Sequence, residues 1–84
     1  MDLGKRADAV MSRHDFAAFV DALRHDLAVH PEEWENPTLD TFLEALSAWV
    51  RDMDGYYRNK QLPTPQSPTW KSVAEMMLAA KVYE

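Results

Sequence analysis

Apolar residues recur at three- and four-residue intervals in three separate segments of this chain, and this spacing constrains the fold more than any other feature. The spacing places apolar side chains on one face of an α-helix. The three sets are Phe16, Phe19, Val20, Leu23 and Leu27; Leu39, Phe42, Leu43, Leu46, Trp49, Val50, Met53 and Tyr57; and Trp70, Val73, Ala74, Met77, Leu78 and Val82. No segment alternates as a strand does. The sequence therefore predicts an all-α protein.

Capping residues and prolines set the boundaries of these helices. Ser12, followed by Asp15, is typical of a helix start, and Pro31 ends that helix. Proline-rich connections follow at 31–37 and 58–68. We predict a compact three-helix bundle with helices near residues 12–30, 38–57 and 68–83, the second helix being central.

The length of the chain, 84 residues, suits one hydrophobic core. Residues 1–11 have a weaker and interrupted spacing of apolar side chains, so we expect them to form a flexible N-terminal arm. Residues 12–84 are then a single helical domain.

The composition indicates a cytoplasmic protein. The chain has no cysteine, which removes disulfides and cysteine-based metal sites and favours a reducing compartment. No apolar run approaches the ~20 residues needed to span a bilayer. The first residues also lack the apolar stretch of a signal peptide. We expect no membrane association.

The net charge of -5 argues against nucleic acid as a ligand, because binding phosphates requires clustered Lys and Arg. The acidity is concentrated in the middle of the chain. Between residues 31 and 54 the only Lys or Arg is Arg51, whereas the acids are Glu32, Glu33, Glu35, Asp40, Glu44, Asp52 and Asp54.

Two Asp/His pairs raise the question of a metal site. Asp21/His25 and Asp26/His30 each lie four residues apart, the spacing of two ligands on one helix face. The two pairs point about 140° apart on an ideal helix, so the four side chains do not converge without a second subunit. We expect exposed polar pairs, no metal, no other cofactor and no catalytic residues, and hence no enzyme.

Three short stretches carry a resemblance to a known family. They are Trp-Glu-Asn-Pro-Thr-Leu at 34–39, Asp-Met-Asp-Gly-Tyr-Tyr at 52–57 and Ala-Ala-Lys-Val-Tyr-Glu at 79–84. The chain resembles, over residues 12–84, a family of small stand-alone bacterial proteins of unknown function. The resemblance implies a bacterial origin and supplies no activity or catalytic residues.

The segment around Tyr56 and Tyr57 is the candidate functional surface. Adjacent helix residues point about 100° apart, so both tyrosines cannot face one core and one should be exposed. Aromatic anchors with a charged rim are typical of protein recognition. The candidate partner-binding residues are Trp34, Asp52, Asp54, Tyr56, Tyr57, Glu32 and Glu33. The alternative is that the aromatics only seal one end of the bundle.

Three functions follow from these observations. The leading hypothesis is a non-catalytic protein-binding module, such as an immunity or antitoxin-like protein, whose acidic surface binds a basic protein. The second is a structural homodimer or accessory subunit, formed through the third helix, where Met76 and Leu78 widen the apolar face. The third is a metal-dependent regulator or enzyme that uses the Asp/His pairs.

Overall fold

A computed structural model describes residues 2–84 and contains four α-helices with no β-strand in that range. They are α1 (Leu3–Asp8), α2 (Arg13–Val29), α3 (Leu39–Asn59) and α4 (Trp70–Ala80). A short 3-10 turn spans Pro31–Glu33. The all-α prediction is confirmed, and the last three helices lie where the apolar spacing placed them.

Helix α1 was not predicted. Asp2 caps it by accepting a hydrogen bond from the Lys5 backbone amide at 2.9 Å. Ala7 and Val10 are buried with the main core, and α1 packs against both α2 and α4. Within residues 2–84 the segment expected to be an arm therefore contains a helix, and the domain has four helices instead of three. Met1 lies outside the described residues.

Helix α4 is the centre of the fold, which corrects the expectation that the second predicted helix is central. It packs against α1, α2 and α3, whereas no Cα atom of α2 lies within 8 Å of a Cα atom of α3. Ser72, Ala74 and Ala80 are its buried residues. Because these side chains are small, three helices can approach α4 closely.

The same arrangement explains the wide apolar face of α4. Met76, Met77 and Leu78 are all half-buried within the single chain. The widening that suggested a homodimer through this helix is thus accounted for by neighbouring helices of the same molecule.

Side-chain caps define where the helices begin. Ser12 Oγ accepts from the Asp15 amide at 3.1 Å. Thr38 with Thr41 forms a complete capping box at α3, as does Thr69 with Ser72 at α4. These caps satisfy amides that have no partner inside a helix.

Candidate functional site

Four aromatic side chains form a continuous cluster at the end of α3, and we call Trp49, Tyr56, Tyr57 and Tyr83 the aromatic cluster. The Trp49 ring meets Tyr56 edge-on at 4.9 Å and Tyr83 at 5.4 Å between centroids. Tyr56 in turn meets Tyr57 at 5.2 Å. Edge-to-face contacts of this kind hold aromatic rings in fixed positions.

The two adjacent tyrosines differ in exposure. Tyr57 is buried, whereas Tyr56 is 39% exposed. The prediction that one of the two faces solvent is therefore confirmed. Tyr56 is the exposed aromatic anchor, and the buried Tyr57 ring packs edge-on against it.

Tyr57 is fixed by a hydrogen bond to α4. Its hydroxyl donates to Glu75 Oε2 at 2.9 Å. Burial, together with the neighbouring Glu75 carboxylate, raises the pKa of Tyr57 to about 12. The phenol consequently stays neutral and acts as a donor instead of a nucleophile.

Tyr83 connects the chain end to α3. Its hydroxyl donates to Asp52 Oδ2 at 2.6 Å, and this hydrogen bond raises the pKa of the Tyr83 phenol. Asp52 is exposed and lies one helical turn before Tyr56. The contact thus places a carboxylate beside the exposed aromatic ring.

Tyr56 stands between two surface depressions. The first, of 520 Å³, lies between α1 and α3 and is floored by Leu78 and Ala79 of α4. The second, of 400 Å³, lies towards the loop before α4. Asp8, Tyr56 and Glu75 line both depressions. The aromatic anchor is therefore flanked on either side by concave surface.

The charges around Tyr56 include carboxylates that have no ionic partner. Across residues 2–84, none of Asp8, Asp52 and Glu75 lies within 4.0 Å of a basic side-chain nitrogen. Lys60 lies over the Tyr56 ring, with Nζ 5.3 Å from the centroid. The ring already accepts one cation, which is the interaction that a partner lysine or arginine makes with an aromatic face.

The other predicted site residues lie elsewhere. Glu32 and Glu33 are exposed in the 3-10 turn, and Trp34 stacks on Phe42 near the start of α3 at 6.1 Å. Phe42 and Tyr56 are about 21 Å apart along the helix axis, from the rise of 1.5 Å per residue. The structure therefore separates these residues from the aromatic cluster.

Asp54 is also separated from Tyr56. It is exposed on α3, but two residues correspond to a rotation of about 200° on a helix, so Asp54 points away from both Asp52 and Tyr56. Of the seven predicted residues, only Asp52, Tyr56 and Tyr57 come together.

Trp34 has a structural role. It is buried, and its Nε1 donates to Asp26 Oδ2 at 2.8 Å. Lys81 Nζ donates to the same oxygen at 2.9 Å, and this hydrogen bond is the main reason that the pKa of Asp26 is lowered. Burial acts in the opposite direction and raises the pKa, whereas the hydrogen bond from Trp34 lowers it further. The recognition patch predicted from the sequence requires an exposed Trp34, whereas the side chain is buried.

Asn36 ties the same connection to the end of α4. Its Nδ2 donates to the carbonyl oxygens of Ala80 at 3.0 Å and Tyr83 at 2.8 Å. Its backbone amide donates to the Lys81 carbonyl at 3.1 Å. The Trp-Glu-Asn-Pro stretch and the C-terminal Ala-Ala-Lys-Val-Tyr stretch therefore meet in space.

The Asp/His pairs border one cleft of 630 Å³ between α1 and α2, which their angular separation did not predict. Asp26 is bonded to Lys81 and Trp34 there. Among residues 2–84, the one group of three donors close enough to share an ion is His30, Glu32 and Glu33, all exposed. Exposed acidic groups are common without a bound ion, and we assign no metal to them.

Sequence reasoning missed Trp49, Tyr83, Asp8 and Glu75 as members of the site. The spacing placed Trp49 on the apolar face of its helix, and the other three are separated from Tyr56 by loops or whole helices. The nearest signal was the four-residue spacing of Asp52 and Tyr56, which places them on one face. The contacts of Tyr83 and Glu75 depend on tertiary packing.

Residues 12–84 match the family of unknown function DUF7660, and the chain belongs to this family. No curated protein and no solved structure has significant similarity to the chain. The resemblance to an uncharacterised family is confirmed at this level. The motif pattern, the bacterial origin and the division at residue 12 stay predictions. In residues 2–84, no helix is both long and apolar enough to cross a bilayer.

Proposed function

We propose that this member of the DUF7660 family is a non-catalytic protein-binding module that grips a basic segment of a partner protein through Tyr56 and the carboxylates around it. An immunity or antitoxin-like role is one concrete form of this function. The proposal places the protein in a bacterial cytoplasm, which the lack of cysteine supports.

The observation that carries the proposal is a rigid, exposed aromatic ring between two depressions. Tyr56 is braced by Trp49 and Tyr57, so little side-chain entropy is lost when a partner packs against it. Burial of a pre-positioned aromatic side chain is a common source of binding energy at protein interfaces.

Three carboxylates near Tyr56 support a basic partner, and the depressions beside the ring also contain Lys5, Lys60 and Lys71. Asp8, Asp52 and Glu75 have no ionic partners within residues 2–84, and the chain carries a net charge of -5. An acidic surface accelerates encounter with a basic protein. A lysine or arginine of the partner can satisfy these carboxylates.

The test begins with capture and identification of a partner from the native host, followed by titration calorimetry with the two purified proteins. Tyr56→Ala should weaken binding by about 30-fold, corresponding to ~2 kcal/mol for a central aromatic anchor. Asp52→Asn should weaken binding several-fold and reduce its dependence on salt, since one attractive charge is lost.

Asp54→Asn is the matched control. It removes the same charge from the same helix, two residues from Asp52, but on the opposite side. The proposal expects little change in affinity for this variant. Equal losses for Asp52→Asn and Asp54→Asn, or a partner indifferent to Tyr56→Ala, would contradict a local site at Tyr56.

A further inference from the structure

An apolar groove of 270 Å³ lies between α2 and the start of α3. Along α2, it is lined by Val20, Leu23 and Leu27, which cover two helical turns, about 10 Å. Phe42 of α3 also lines it, as does Met77 of α4, the helix that packs against both α2 and α3. The volume is just below the ~300 Å³ at which sites for drug-sized ligands begin, so the groove suits a small apolar molecule.

Hydrogen bonds hold one wall of the groove in place. Trp34 Nε1 donates to Asp26 Oδ2 at 2.8 Å, and the Trp34 ring packs on Phe42 at 6.1 Å between centroids. Asn36 Nδ2 donates to two carbonyl oxygens near the end of the chain. Trp34, Asn36 and Phe42 all line the groove. Because these contacts fix its shape beforehand, a ligand binds with little cost of rearrangement.

Arg24 is the one charged residue among those of 2–84 that line the groove, and it is exposed. No carboxylate oxygen of the described chain lies within 4.0 Å of its side-chain nitrogens. The other polar side chains of the lining are already bonded: Trp34 and Asn36 donate as above, and Thr38 Oγ1 accepts from the Thr41 amide at 3.2 Å. The guanidinium of Arg24 is therefore the polar group that the groove offers to a ligand.

We propose that this groove binds a medium-chain carboxylic acid, with the alkyl chain along the apolar face of α2 and the carboxylate paired with Arg24. Arg24 follows Val20 by four residues and precedes Leu27 by three, so all three lie on one side of the helix. A guanidinium pairs with a carboxylate through charge-assisted hydrogen bonds. Although the chain has a net charge of -5, the single charge in this lining is positive and selects an anion.

This site goes beyond the proposed partner surface and is independent of it. The groove lies at the start of α3, and Phe42 and Tyr56 are about 21 Å apart along the helix axis. Tyr56→Ala, which should weaken the protein partner, should leave binding of the acid unchanged. The failure of one proposal therefore does not decide the other.

Titration of the isotope-labelled chain with octanoate, followed by heteronuclear NMR, tests the site. Saturable shifts should appear at the residues that line the groove, with a Kd of about 1 mM for a ligand of this size. Hexanoate should bind several-fold more weakly, because two fewer methylene groups are buried. Octylammonium has the same chain and the opposite charge and should not bind. No saturable shift with octanoate, or equal affinity for octylammonium, would overturn the proposal and leave the groove to an apolar side chain of a protein partner.

Variants of Arg24 test the pairing in the same titration. Arg24→Gln should weaken octanoate binding about tenfold, because the charge-assisted bonds are lost. Arg24→Glu should reverse the preference, so that octylammonium binds more tightly than octanoate. Arg13→Gln, at an exposed position of the same helix outside the groove, is the matched control and should bind octanoate normally. Equal weakening by Arg13→Gln and Arg24→Gln, or none by Arg24→Gln, would contradict the pairing. Since both arginines are exposed, the helical circular dichroism of every variant should persist.

Discussion

Tyr57 combines a buried ring with a hydroxyl bonded to Glu75, and this pairing has a measurable consequence in alkali. Its pKa is raised to about 12 by burial and by the nearby carboxylate. An unfolded tyrosine ionises near pH ~10. The stabilisation of the neutral phenol is therefore complete below about pH 10 and lost as the pH rises towards 12.

Tyr57→Phe should remove a step near pH 12 from the ultraviolet titration of tyrosinate in the folded protein. The step disappears because the ionising hydroxyl is gone. Tyr56→Phe is the control and should retain it. If the step is lost in Tyr56→Phe and kept in Tyr57→Phe, the step belongs to Tyr56, which would contradict its assignment to Tyr57.

The Asp26 carboxylate should make the stability of the fold depend on pH in acid. Its carboxylate accepts from Trp34 and Lys81, which keeps the pKa of Asp26 below its ordinary value. The ionised form therefore stabilises the fold above pH ~4, and this contribution is lost as the pH falls through the lowered pKa.

Asp26→Asn should lower the free energy of unfolding by about 1–3 kcal/mol at neutral pH, because two charge-assisted bonds weaken. In urea unfolding, the free energy of unfolding of the variant should also fall less steeply than that of the wild type as the pH is lowered. Asp21→Asn, exposed on the same helix, should change neither quantity appreciably. A similar loss in both variants would mean that the Asp26 contacts add no specific stability.

Individual burial was the least predictable property from the sequence. The helical spacing places Trp70 on the apolar face of its helix, yet it is 46% exposed at the first residue of α4, where its ring packs on Phe16 at 5.6 Å. Trp34 was predicted to lie on the partner surface and is buried, with Asp26 and Lys81 against its indole. Helical spacing gives the face of a residue, whereas burial depends on which elements cover that face.

At the scale of the element, the three long helices were predictable because their signals are local. Apolar spacing, Ser12, Thr38, Thr69 and the prolines lie in or beside the helices that they define. Helix α1 was not predicted, because a helix of six residues is too short to show a repeated spacing of apolar side chains. Its one local signal was Asp2 at the N-cap.

The cap of α4 should matter more than its exposed position suggests, because α4 contacts every other helix. Thr69→Ala removes the bond from the Ser72 amide, 3.0 Å long, and should cost about 1 kcal/mol. For a domain of this size that corresponds to a lower Tm by ~4–8 °C. Ser67→Ala, in the preceding loop, should leave the Tm unchanged in the same thermal scan. Indistinguishable melting of the two variants would contradict a stabilising cap.

At the scale of the whole molecule, the arrangement of helices was beyond the sequence. The small residues Ser72, Ala74 and Ala80 make α4 the centre, while the longer apolar face of α3 suggested otherwise. Part of that apolar face is instead exposed, at Leu39, Leu43 and Val50. Amphipathic spacing shows which face of a helix is apolar, but it does not identify the element that packs against that face.

The same limit applies to the candidate site. Asp52, Tyr56 and Tyr57 were found because neighbouring positions on one helix determine their directions. Glu32, Glu33 and Trp34 were grouped with them by composition, and the structure places them at the opposite end of α3. Only the packed molecule brings Asp8, Glu75 and Tyr83 to Tyr56.

Site-specific photocrosslinking tests the partner surface most directly. A benzophenone side chain introduced in place of Tyr56 should crosslink a basic host protein, because the ring lies within the proposed interface. The same group in place of Met11, which is 86% exposed and outside the site, should not capture that protein. A partner should be crosslinked through position 56 alone; equal capture through both positions, or none through position 56, would contradict a binding site at Tyr56.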